Sequence, residues 1–90
     1  MVEERVGRVS HYFSHIGVAA IVLERELKVG DTMHVKGHTS DFMQKIDSIQ
    51  IEHRNVEKAK GGDSVGIRVI EHAREHDAVY KIIGEGKNAA

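Results

Sequence analysis

Apolar and polar residues alternate along much of this chain, and Gly-Asp pairs mark where the alternation restarts. Met33 and Val35 share one parity, with Thr32, His34 and Lys36 on the other. Further on, Val65, Ile67 and Val69 alternate with Gly66 and Arg68. A period of two is the mark of a strand with one buried face. Gly30-Asp31 and Gly62-Asp63 stand immediately before these two strands. Glycine takes the positive φ that a tight turn needs, and an Asp side chain can bond the turn's own backbone. Each pair therefore predicts a sharp entry into a strand.

The same pattern predicts a first strand over Val6 to Phe13 and a hairpin partner over Ile16 to Leu23, turned at Ser14-His15. Both parities of the partner are apolar, which suits a strand covered on both sides. Ala19 to Val29 is also rich in helix formers, so propensity alone favours helix there, while the flanking Gly17 and Gly30 favour strand. From Phe42 to His53 the inward parity is even at Phe42 and Ile46 but odd at Ile49 and Ile51. A strand cannot change parity without an extra residue, so a bulge or bend is predicted near Asp47-Ser48. Asn55 is placed to cap one helical turn over Val56 to Ala59, with Gly61 as its stop. His72 to Asp77 reads as a polar excursion, Ala78 to Ile83 as the closing strand, and Gly84 to Ala90 as a disordered tail beyond a single domain of residues 1–83. The expected fold is all-β: a small closed or nearly closed barrel of six to seven strands with one helical turn. Closure would remove the edges that a chain without proline has few means to protect.

Ninety residues, 40% of them hydrophobic, suffice for one small core and leave little room for a deep cleft. Lys plus Arg number 13 against 14 for Asp plus Glu, so no global charge excess draws the protein onto nucleic acid, although a local basic face is compatible with it. Without cysteine there is neither a disulfide framework nor a thiolate metal site. Met1-Val2-Glu3-Glu4-Arg5 carries acids before its first base and does not read as a signal peptide. The longest apolar stretch, Ile16 to Leu23, is far short of the roughly 20 residues that span a bilayer as a helix. A soluble, cytoplasmic protein is expected.

Leu27-Lys28-Val29-Gly30-Asp31, then Val56-Glu57-Lys58-Ala59, then Lys60-Gly61-Gly62-Asp63-Ser64-Val65-Gly66-Ile67, resemble in order and spacing the barrel-forming second domain of translational GTPases such as elongation factor Tu. The likeness runs from Val6 to Ile83 and is greatest to small stand-alone elongation-factor-like proteins. It implies a translation-factor barrel with transfer RNA or the ribosome as partner. The family's Gly-Asp-Asn-Val pattern, whose Asn lies at the amino-acid pocket, reads Gly62-Asp63-Ser64-Val65 here. A related domain also looks to occur as an appendage of some peptidases. That implies the alternative of a protein-interaction module docking a partner polypeptide such as a peptidase or enzyme subunit.

The chemistry on offer is sparse. No Gly-x-x-x-x-Gly-Lys-Ser/Thr loop occurs, so no GTP binding is expected, and no Gly-x-Ser-x-Gly elbow surrounds any serine. The protein is read as a non-enzyme without a cofactor. His72 and His76 stand four apart, as do His11 and His15. That spacing suits zinc on a helix, whereas in strand ends and turns the side chains do not converge, and solvated loop histidines are the reading adopted. For RNA, the candidate face is His53, Arg54, Lys58, Lys60 and Ser64, where positive charge gathers around the expected helical turn and the second Gly-Asp hairpin. The competing reading is a charged outer surface kept for solubility.

Overall fold

The computed structural model describes residues 2–83, and within them ten β-strands and no helix. Eight strands form one antiparallel sheet: β1 (Val2–Phe13), β2 (Val18–Leu23), β4 (Thr32–Lys36), β5 (Asp41–Lys45), β6 (Ile49–Ile51), β7 (Arg54–Val56), β9 (Ser64–Arg68) and β10 (Ala78–Ile83). Their order across the sheet is β5-β4-β10-β1-β2-β9-β6-β7, and β3 (Leu27–Lys28) pairs with β8 (Lys58–Ala59) in a separate ribbon. None of these segments is a helix long and apolar enough to cross a membrane.

β1 is the spine. Its ladder shifts register between Arg5 and Gly7 against β10, and between Val9 and His11 against β2. Each bulge flips which parity faces inward, so the inward residues step Val6, Val9, Tyr12 rather than every second position. Bulges also bend the strand and raise its twist, which curls the sheet around its own apolar face. Ile21, Leu23, Leu27, Met33, Val35, Ile46, Ile49, Ile67 and Val79 fill the space enclosed. The curl brings β5, one edge strand, towards the end of β9. There the Gln44 side chain donates to the Arg68 carbonyl (2.9 Å) and accepts from the Ile70 N–H (2.8 Å). One side-chain amide makes this contact in place of a backbone ladder. The sheet is all-β as expected, but its pairing does not close into a barrel, and it has more strands than the six to seven expected.

The helical turn expected over Val56 to Ala59 is a correction. Val56 ends β7 and Lys58–Ala59 is β8, drawn into extended form because Ala59 is buried opposite Leu27 and the Glu57 carbonyl accepts the Val29 N–H (2.9 Å). Asn55 caps nothing; its side chain accepts from the Gln50 amide across the β6–β7 pair (3.2 Å). Tertiary pairing has overridden a local helical preference. The stretch that could have been helix, Ala19 to Val29, is β2 and β3, with Ala19, Ile21 and Leu23 in the core and Val18, Ala20 and Val22 half-covered. The phase change in Phe42 to His53 is real: β5 stops at Lys45 and β6 starts at Ile49. The expected tail, Gly84 to Ala90, lies outside the described residues.

Both Gly-Asp turns form as expected, with φ of 97° at Gly30 and 96° at Gly62. Asp31 accepts from the Lys28 N–H and Asp63 from the Lys60 N–H, each at 3.0 Å. A third copy uses no glycine. In Arg74-Glu75-His76-Asp77 the residue with positive φ is His76 (75°), and Asp77 accepts from the Arg74 N–H at 2.9 Å. The three turns do the same job. Residues 30, 62 and 76 donate to, and Asp31, Asp63 and Asp77 accept from, the backbones of Ile46, Leu23 and Val9 respectively. Each turn thereby clamps one buried residue in, or directly after, the strand beside the one it launches. An added Cβ at Gly62 meets nothing within 4 Å, so only its φ opposes a side chain there. Gly62→Ala is expected to cost about 1 kcal/mol, read as a shifted urea midpoint with unchanged m value.

Candidate docking face

The five residues singled out for RNA are divided between two places. Lys58 and Lys60 line a cavity of about 320 Å³ with Glu26, Ala59 and Asp63. There the Lys58 Nζ lies 3.8 Å from Glu26 and the Lys60 Nζ 3.7 Å from Asp63, so each cation stands beside a carboxylate. Arg54 lies exposed at the start of the edge strand β7. His53 and Ser64 belong to a second hollow. Glu52 and His53, with φ of 52° and 67°, make the two-residue turn between β6 and β7, the geometry of a type I′ hairpin. Ser64 opens β9 opposite Val22.

This second hollow, about 340 Å³, is lined largely by apolar surface. Its floor follows from register: Ala20 of β2 pairs with Gly66 of β9, and Gly66 pairs with Gln50 of β6. Two small residues in succession leave bare backbone between neighbouring side chains, and an added Cβ at Gly66 would touch Val18 at 3.4 Å. Phe13 and Ile16, at the β1–β2 turn, form the apolar wall and are 45% and 60% exposed. Ser64, Gln50, Glu52 and His53 make a polar rim. The Val69 N–H donates to the Gly17 carbonyl (2.9 Å), which brings exposed Ile70 to the same end of the molecule as Ile16. An apolar recess with a polar rim is the anatomy of a protein-binding surface. Sequence reasoning passed over it, although Gly66 at an outward position between two strongly apolar residues was a usable sign.

The histidines take other partners. The His11 Nδ1 lies 3.0 Å from a Glu75 carboxylate oxygen, the His72 ring packs on Tyr12 with centroids 4.5 Å apart, and His76 serves the third turn. Among the described residues no three or more His, Asp or Glu side chains gather as a metal site.

No protein-family model matches the chain. It is 40% identical over 76 residues to an uncharacterized protease of Methanocaldococcus jannaschii, covering 83% of this chain and 19% of that one. It is 38% identical over 78 residues to a collagenase of Porphyromonas gingivalis, covering 84% of this chain and 22% of the collagenase. The chain thus spans about a fifth of the length of these curated relatives. Its fold matches the crystal structure of the C-terminal domain of a Geobacillus thermoleovorans chain assigned to the U32 peptidases. The TM-score is 0.83 at 22% identity, over 89% of this chain and 93% of that one. A selenomethionine variant of the same domain gives 0.81. These likenesses overturn the resemblance to elongation factors and with it the reading in terms of protein biosynthesis. The transfer-RNA and ribosome partners rested on that resemblance and lose their support. The motifs that suggested it were the two Gly-Asp turns with Val56-Glu57-Lys58-Ala59 between them, and a third turn of the same geometry without glycine marks such turns as a local solution to entering a strand.

Proposed function

We propose that this chain is a non-catalytic module that docks onto a peptidase-type polypeptide, using the hollow walled by Phe13 and Ile16. The observation that carries the reading is this apolar recess on a domain whose relatives hold it as about a fifth of chains named as a protease and collagenases. In those relatives the remaining four-fifths, roughly, is the polypeptide against which such a face would lie. The curled sheet, bridged between β5 and the end of β9 by Gln44, carries the face. The non-catalytic role rests on the sequence, which carries neither a phosphate-cradling loop nor a nucleophile elbow.

Calorimetric titration of this chain against the Methanocaldococcus jannaschii protease lacking its own matching segment tests the reading, with a melting curve to establish that the shortened protease is folded. Saturable binding that barely changes with salt is expected. Ile16→Asp combined with Phe13→Ser should weaken it by at least about tenfold, because buried apolar anchors carry most of an interface's energy. Both side chains are substantially exposed, so the melting temperature of the module should hardly move. Absence of binding to the folded protease, or equal binding by the double variant, would remove the proposal.

A further inference from the structure

His34 is the one buried histidine among the described residues, its side chain only 11% exposed, and both of its ring nitrogens face carboxylates. Nδ1 lies 2.6 Å from the Glu3 Oε2 and Nε2 lies 2.5 Å from the Asp41 Oδ1. A neutral imidazole donates from one nitrogen only, so with Glu3 and Asp41 both ionised this geometry calls for the imidazolium. The three residues come from three strands, β1, β4 and β5, and Glu3 reaches His34 across the intervening β10.

The anchorage of β1 gives this contact a task. Val2 to Arg5 pair with β10 alone, in register with Ile83 to Tyr80, whereas pairing with β2 begins only at Gly7. The bulge after Arg5 separates this segment from the well-buried part of the strand. What holds it besides one ladder is the Glu3–His34 contact and two exposed ion pairs, Arg5–Glu24 (3.5 Å) and Glu4–Arg25 (3.3 Å), of the kind that contribute little.

We propose that Glu3, His34 and Asp41 form a proton-operated latch that holds Val2 to Arg5 on the sheet and frees that segment when His34 loses its proton. The groups that face it are Glu3 and Arg5 from β1, Tyr80 from β10, Asp41 and Lys45 from β5, and Lys36 on its own strand. The bond to Asp41 raises the His34 pKa, burial opposes this, and the bond to Glu3 and the charge of both carboxylates add to the rise. The bond to the imidazolium holds the Asp41 pKa below its usual 3.8, with the charges of His34 and Lys36 adding to it. For His34, raised in the folded state, the stabilisation is complete below the ordinary value of 6.5 and is lost as pH rises through the higher folded value. For Asp41, lowered on folding, it is present above 3.8 and lost as pH falls through the lower folded value. Above the upper limit one ring nitrogen presents a lone pair to a carboxylate. With the remaining proton on Nε2, the commoner tautomer of a free imidazole, Asp41 keeps its donor and the carboxylate facing the lone pair is Glu3, whose side chain is 30% exposed against 70% for Asp41.

Two measurements on the full chain test the latch. Nitrogen-15 NMR should show both His34 nitrogens protonated near neutral pH and a titration midpoint above 6.5. Hydrogen exchange followed by mass spectrometry from about pH 6 upward, corrected for intrinsic rates, should show protection of Val2 to Arg5 falling at least about tenfold as His34 titrates, with Ile21 and Ile67 unaffected. Glu3→Gln should lower the His34 midpoint and raise exchange in the same segment alone. His34→Gln should leave that segment's exchange high and independent of pH. A midpoint at or below 6.5 overturns the latch. So does protection of Val2 to Arg5 that is unchanged across the titration, or that changes equally with the core.

Discussion

Replacing Gly37 with Ala should destabilise the domain by about 3 kcal/mol, the upper end of what overpacking costs, and lower its melting temperature by more than about 10 °C. Gly37 follows β4, and its N–H donates to the Ser40 carbonyl at 2.7 Å, closing the turn into β5. A Cβ added there would collide with the Asp77 carboxylate, 2.5 Å from its Cγ and closer still to Oδ1. A flexible side chain would swing aside, but Asp77 is 4% exposed and its other oxygen accepts the Arg74 N–H at 2.9 Å. Its carbonyl also accepts the Val9 N–H, so moving it undoes the third turn and loosens the clamp on β1. A double-mutant cycle isolates the approach. Asp77→Ala alone should cost about 1 to 3 kcal/mol for an amide left unpartnered, yet in the Gly37→Ala background it should cost less, with a coupling of at least about 1 kcal/mol. Thermal melts by circular dichroism supply all four corners. Strict additivity would mean that contact with Asp77 is not what requires glycine at position 37.

How much of this was legible in the sequence varies with the range of the interaction. The one-sided strands after Gly30-Asp31 and Gly62-Asp63 were legible because period and turn chemistry are local, and the break at Asp47-Ser48 because a parity change is visible in any strand. The bulges of β1 left the same kind of trace, Val6 to Val9 to Tyr12 in steps of three, which a strand without bulges cannot bury. The third turn was hidden because His76 takes the positive φ that glycine takes in the other two. Val56 to Ala59 was misread because what makes it extended is Leu27, some thirty residues earlier. His34 looked like a solvated outward position of β4. Its partner Glu3 lies 31 residues away and arrives only through the order of strands in the sheet, for which nothing near His34 gives a signal. The hollow at Gly66 depended likewise on the register that puts Ala20, Gly66 and Gln50 in one row.

That dependence on distant pairing makes Leu27→Ala the other large effect, about 3 kcal/mol. Leu27 is fully buried, yet it belongs to a strand of two residues whose only ladder partner is β8. So short a ribbon has little hold of its own, and it is the Leu27 side chain, packed with the main core, that seats it. Opposite stands Ala59, which is buried and already small, so nothing on that side can expand into the space left behind. Opposed residues of an antiparallel pair have Cβ atoms about 5 Å apart, which makes the two sites exchangeable in volume. Ala59→Leu alone should cost about 1 to 3 kcal/mol through overpacking, whereas Leu27→Ala with Ala59→Leu should recover at least half of the loss caused by Leu27→Ala. Urea denaturation of the three variants measures both quantities. If the exchange recovers nothing, the hold of the ribbon lies in the Gly30-Asp31 clamp on Ile46 rather than in the volume shared by Leu27 and Ala59.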